Sequence, residues 1–83
     1  APGTRILPNP NTGAFDVELR GLEHEQVILS LLDIQGRLVQ EEKTELTHAV
    51  KKVHFEQSSL AKGVYQLVVR SNAASMTYKV VVQ

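Results

Sequence analysis

Alternation of apolar and polar residues with a period of two, repeated along most of the chain, constrains the fold more than any other feature. Phe15, Val17 and Leu19 alternate with Asp16, Glu18 and Arg20. Successive side chains of a strand point to opposite faces, so this reads as a half-buried strand. Val27-Ile28-Leu29-Ser30-Leu31-Leu32 is more continuously apolar and suits a central strand. Tyr65, Leu67 and Val69 share one face of Val64–Arg70, and Met76, Tyr78, Val80 and Val82 share one face of the last segment. Ala49, Val53 and Phe55 share a weaker parity. Turn chemistry separates these runs: Asn11-Thr12-Gly13, Asp33-Ile34-Gln35-Gly36, Ser58 to Gly63, and Ser71-Asn72-Ala73-Ala74. A helix competes over residues 40–53, where Leu46, Ala49, Val50 and Val53 sit at helical spacing. Thr44, Thr47 and His48 weaken it and no C-cap follows Val53, so strand or irregular structure is expected there. Glu41 to Glu45 reads as a solvated strand end and loop. The sum is about seven short strands, which predicts an all-β, seven-stranded, immunoglobulin-like antiparallel β-sandwich. Its expected core is Val17, Leu19, Leu29, Leu31, Phe55, Leu60, Tyr65, Leu67, Val69, Val80 and Val82.

Eighty-three residues allow one domain. Nine basic and nine acidic residues cancel. A nucleic-acid or anionic-membrane partner calls for a basic excess, which is missing. The aromatics Phe15, Phe55, Tyr65 and Tyr78 do not interleave with basic residues as a single-stranded nucleic-acid platform requires. The chain has no cysteine, hence no disulfide and no thiolate metal site. No apolar run approaches the ~20 residues of a membrane helix. Ala1-Pro2-Gly3 does not read as a signal peptide. If the protein is exported, its signal lies upstream or is this segment itself.

Catalytic and metal chemistry find little support. His24-Glu25-Gln26-Val27 is not the H-E-x-x-H zinc motif, because position 28 is Ile. His48 and His54 would lie about 20 Å apart along an extended segment, too far for one ion. Ser30, Ser58 and Ser59 lie outside any nucleophile-elbow pattern, and Asp33 lacks the alternating oxygen ligands of a calcium loop. Its expected role is to brace its turn. The five glycines are scattered through turns and form no phosphate loop. The reading is a module that recognises or is recognised, with no enzyme activity and no cofactor.

Residues 8–13, Pro8-Asn9-Pro10-Asn11-Thr12-Gly13, carry two of the three prolines. Each proline fixes φ near −65° and lacks an N–H. Leu7 and Asn9 precede prolines and are pushed towards extended conformations. An extended path over residues 7–10 is therefore expected, unable to pair fully on one side, before a turn in which Gly13 takes positive φ. Gly36 is expected to do the same, and Gly63 is a further candidate.

Four local patterns follow one another: Pro8-Asn9-Pro10-Asn11-Thr12-Gly13; Asp33-Ile34-Gln35-Gly36-Arg37-Leu38-Val39; Leu60-Ala61-Lys62-Gly63-Val64-Tyr65; and Lys79-Val80-Val81-Val82-Gln83. In order and spacing this resembles the C-terminal sorting domain of type IX secretion cargo from Bacteroidetes. That family runs P-N-P-x-x-G, D-x-x-G-R-x-V, L-x-x-G-x-Y and a lysine-led terminal strand. Leu7 departs from it, since the family often has an aromatic there. The resemblance covers residues 5–83 and leaves 1–4 as a linker remnant. It implies a sorting signal that directs a parent cargo protein, preceding it in the same chain, through the outer-membrane translocon. Implied partners are translocon or shuttle proteins and a sortase-like surface protease, with anionic lipopolysaccharide joined only to processed cargo. The implied location is the periplasm in transit, then the outer-membrane surface or the medium. Carried over residue by residue, the sorting motif comprises Pro8, Asn9, Pro10, Gly13, Asp33, Gly36, Arg37, Gly63, Tyr65, Lys79, Val80, Val81, Val82 and Gln83. The last strand, if it lies at an edge, is a candidate docking surface, because an edge offers unpaired backbone groups. The rival reading is an immunoglobulin- or fibronectin-like adhesion or carbohydrate-binding module. The core parity of Tyr65 and Tyr78 disfavours a sugar site built on exposed aromatics.

Overall fold

The computed structural model describes residues 3–21, 26–45, 50–57, 60–72 and 75–83. Among these are the strands β1 (Gly3–Leu7), β2 (Ala14–Arg20), β3 (Gln26–Leu32), β4 (Leu38–Glu45), β5 (Val50–Glu56), β6 (Gly63–Arg70) and β7 (Ser75–Val82). They form two antiparallel sheets, β1-β2-β5 and β4-β3-β6-β7, in the sandwich arrangement expected from the alternation. The helical spacing over 40–53 does not prevail in the described residues 40–45 and 50–53, which are strand. Glu41 to Glu45 are paired strand throughout, bonded to β3 from Gln26↔Glu45 to Ser30↔Glu41, rather than a strand end and loop. Ladder pairing with an apolar central strand outweighs the few tenths of a kcal/mol per residue that favour helix. β1 begins at Gly3, opposite Arg20, within the stretch expected as a linker remnant. His24, His48, Ser58 and Ser59 lie outside the described residues.

Both inner faces supply the core: Phe15, Val17 and Leu19 of β2 and Phe55 of β5 against Val27, Leu29 and Leu31 of β3, Tyr65, Leu67 and Val69 of β6, and Val80 and Val82 of β7. Fully burying each such side chain stabilises by ~1.5–3 kcal/mol. Phe15 and Phe55 are directly opposite across β2–β5 and stack with ring centroids 5.1 Å apart. Leu60, expected in the core, is only partly buried and packs against its rim, because it lies in the connection before β6 and not on a ladder position. Phe15 and Val27 are core members absent from the expected set; within the apolar run 27–32 the inward parity is set by pairing with β4 and β6.

Two turns have local causes. Asp33 braces the β3–β4 connection as expected: its Oδ1 accepts the N–H groups of Gln35 and Arg37, both at 2.9 Å, and Oδ2 accepts Arg37 Nε at 3.0 Å. Those bonds, foremost the Arg37 backbone N–H, hold its carboxyl below the usual range. Gly36 takes φ +83° and donates its N–H to Asp33 O at 2.9 Å. At the entry to β6, the Tyr65 hydroxyl donates to Ala61 O at 2.7 Å. This is the tyrosine corner of immunoglobulin-like sandwiches, and it gives Leu60-Ala61-Lys62-Gly63-Val64-Tyr65 a structural reason. Gly63 takes φ +155°, positive like Gly36 and rarely adopted by residues with a side chain.

Candidate functional site

Leu7 ends β1, but residues 8–10 bend instead of continuing extended, and both X-Pro peptides are cis. Here the chain leaves the three-stranded sheet and crosses to the free edge of β7. Pro8 and Pro10 have no N–H to offer that edge, and the intervening asparagines supply the bonds. Asn9 acts as a substitute peptide unit: its Nδ2 donates to Lys79 O at 3.0 Å and its Oδ1 accepts the Val81 N–H at 3.0 Å. Asn11 pairs through its backbone, donating to Val81 O at 2.9 Å and accepting the Gln83 N–H at 2.7 Å, in a parallel bridge with Val82. Its side chain, almost fully buried, donates to Pro8 O at 3.1 Å and accepts the Gly13 N–H at 2.9 Å. Gly13, at φ +108°, then leads into β2, and its carbonyl accepts the Gln57 N–H at 2.9 Å beyond β5. The segment thus ties the terminal strand to the opposite sheet.

β7 is indeed an edge strand, but an edge sealed along part of its length. The bonds from Asn9 and Asn11 go to odd-numbered residues. Strand alternation makes these the residues whose backbone groups face away from β6. Strand addition at Lys79 to Gln83 is therefore blocked at Lys79 O, both groups of Val81 and the Gln83 N–H. The side chains divide differently. Val80 and Val82 are buried, whereas Lys79 and Val81 stand on the outer face of the sheet.

The antiparallel topology brings all four patterns to one pole of the sandwich. Gly63 pairs with Val82, Asn11 bridges Val82, and Leu32, just before the Asp33–Arg37 turn, pairs with both Leu38 and Gln66. Pro8, Asn9 and Pro10 are exposed there, as are Gly36 and Arg37; Asp33 is half-buried, and Gly13 and Tyr65 are buried. Segments 8–13 and 79–83 are joined by hydrogen bonds. The 33–37 turn bonds internally and shares the pole with no hydrogen bond to them among the described residues. Sequence reasoning did not single out Asn11; a buried asparagine between proline and a turn glycine was its available signal.

The two outer faces differ. On the β1-β2-β5 face, Arg20 Nη2 pairs with Glu18 Oε1 at 2.6 Å. His54 sits between Asp16, at 2.7 Å from Nδ1, and Glu56, at 3.3 Å from Nε2. The Asp16 hydrogen bond, then that of Glu56, holds the imidazole above its ordinary 6.5, and the Arg20 hydrogen bond holds Glu18 below the usual carboxylate range. The outer face of β3, β6 and β7 carries Ile28, Leu32, Val64, Val68 and Val81, with no carboxylate on any of those strands.

A search of curated proteins finds no match to the chain. The family described as the secretion system C-terminal sorting domain matches it over residues 5–83. That span takes in both the sealed terminal strand and the pole where the four patterns meet, and it leaves the adhesion or carbohydrate-binding alternative without support. The chain belongs to the family of C-terminal sorting domains, the signals for type IX secretion.

Proposed function

We propose that the pole formed by residues 8–13, 33–37, 60–65 and 79–83 is the part of the signal that the type IX machinery reads, with the side chains of Lys79 and Val81 presented to it. The observation that carries this reading is the division of labour in β7: Val80 and Val82 complete the core, while Lys79 and Val81 face out from a backbone pinned by Asn9 and Asn11. As a sorting domain the chain serves a parent cargo protein and interacts with the secretion machinery, and the cargo goes to the cell surface or is secreted. In our reading the role is non-enzymatic and needs no cofactor. The residues ahead of position 5 join the domain to its cargo. The folded domain crosses the periplasm before docking on translocon or shuttle proteins. A sortase-like surface protease then removes it, releasing the cargo or joining it to anionic lipopolysaccharide.

The test is a reporter fused ahead of residues 1–83 in a type IX-competent bacterium. The intact fusion is expected at the surface or in the medium, and a fusion truncated after Tyr78 in the periplasm. Surface delivery of the truncated fusion at the intact level would overturn the reading.

A further inference from the structure

We infer that the outer face of β6 and β7 is a docking surface for a partner protein that presents apolar side chains interspersed with carboxylates. This rests on the sorting-signal reading and names the chemistry of the component that reads it. Val64 lies directly opposite Val81 on the outer face; Gln66, opposite Lys79, comes next along β6, and Val68, opposite Thr77, follows it. Side chains directly opposite sit about 4.5–5.5 Å apart at Cβ, so Val64 and Val81 form one apolar pair, set apart from Val68 by Gln66 and Lys79. Val64 is 41% exposed, beyond the end of the β3 ladder at Gln66.

Charge fixes the kind of partner. On the same face Lys79, opposite Gln66, sits between the Val64–Val81 pair and Val68, and Arg70, opposite Ser75, lies beyond Val68. Among the described residues neither makes an ion pair, in contrast to Arg20 and Arg37. The outward positions of β6 and β7 hold Val64, Gln66, Val68, Arg70 and Ser75, Thr77, Lys79, Val81, with no acidic group. Carboxylates of the partner would meet two unpaired cations, a complementarity that steers encounter and fixes register. A second copy of this chain would set these cations against their own equivalents, which argues against self-association through this face.

The floor beside Val68 carries a second, independent mark. Ser30, on β3 opposite Val68, has its hydroxyl buried without a hydrogen-bond partner among the described residues. It lines a dimple with Leu32, Leu38, Glu41, Val68 and Arg70. Buried polar groups are nearly always partnered, by protein or by ordered water. An anchoring side chain with an apolar body and a polar tip would fill the dimple and supply that partner, as anchors do at the centres of protein interfaces.

The experiment uses the same reporter fusion with Arg70→Glu and Lys79→Glu together, the charge-preserving pair Arg70→Lys and Lys79→Arg, and Lys52→Glu on the opposite face. Melting of each purified chain confirms folding. Export should fall roughly tenfold or more with the reversed pair, fall less with the preserved pair, and stay near the intact level with Lys52→Glu. Normal export of the folded reversed pair, while truncation after Tyr78 still abolishes export, would overturn the docking surface and leave the sorting reading standing. Failure of the intact fusion to leave the periplasm would instead remove the sorting reading itself. Sedimentation of the purified chain as a dimer that dissociates in the reversed pair would also overturn the inference, because the face would then be a self-interface.

Discussion

The two outer faces of the sandwich are built on the same principle of alternation and come out opposite in character. On the three-stranded sheet the outward residues neutralise one another: Glu18 is held by Arg20, and His54 by Asp16 and Glu56. Such exposed pairs contribute little stability, typically 0–1 kcal/mol each. They leave that face with acidic and basic groups interspersed, Arg5 and Lys52 standing beside Glu18 in register. On the four-stranded sheet, β3, β6 and β7 show valines, isoleucine and leucine beside Lys79 and Arg70, which make no ion pair among the described residues, and beside the Ser30 hydroxyl, which has no hydrogen-bond partner there. A face on which both charge signs are mixed is suited to solvent, and one that carries cations and apolar groups but no carboxylate on three strands to a partner. Alternation alone makes a strand amphipathic; the identity of the outward residues decides what the outward side is for.

The largest expected effect erases the comparison by removing what both faces rest on. Leu67 is fully buried beneath β6. Leu67→Ala should cost about 2–5 kcal/mol by denaturant unfolding, the usual range for a cavity in a packed interior, with export falling in step. Gly36→Val acts on the four-stranded sheet alone. A Cβ at Gly36 meets no atom within 4 Å, so the cost arises from φ +83° itself. It should be about 1–3 kcal/mol, with Gly36→Ala milder; unchanged midpoints for both would show the turn to be unstrained.

Asn11→Ala tests the seal between the sheets. It removes the bonds to Pro8 O and from the Gly13 N–H while keeping the backbone bridge to β7. The loss should be about 1–3 kcal/mol, and amide exchange at Val81 and Gln83 should quicken before that of the core strands. The three-stranded face is probed by pH. A histidine whose folded pKa is raised contributes stability that is fully present below its unfolded value near 6.5 and is lost as pH rises through the folded value. The unfolding midpoint should therefore decline from about pH 6 towards pH 8, flatten in His54→Gln, and leave export of that variant unchanged. An identical pH profile in His54→Gln would show that the Asp16 and Glu56 contacts contribute nothing.

The sequence carried the strands, the turn at Asp33–Gly36 and most of the core, because each depends on neighbours within a few residues. Phe15 and Val27 escaped the core set for different reasons. Phe15 needed its partner Phe55, 40 positions away, to define its packing. Val27 shares the parity of Leu29 and Leu31, but at the start of the run its burial depends on the sheet partners and not on the run itself. The path of residues 8–10 was misjudged because local proline rules take no account of an edge strand some 70 positions later. Asn9 bonding across |i−j| of 70 and 72 has no local signature. Nor does the gathering of four separated patterns at one pole, which only the strand order produces.

The division of β7 into inward and outward residues is tested most directly by export and stability measured together for Lys79→Ala and Val80→Ala in the reporter fusion. Lys79→Ala should change stability by no more than about 0.5 kcal/mol, as an exposed side chain does, yet impair export. Val80→Ala should lower stability by roughly 1–3 kcal/mol, with any loss of export explained by the unfolded fraction. Normal export of Lys79→Ala, with export tracking stability alone across both variants, would contradict a direct reading of the outward residues.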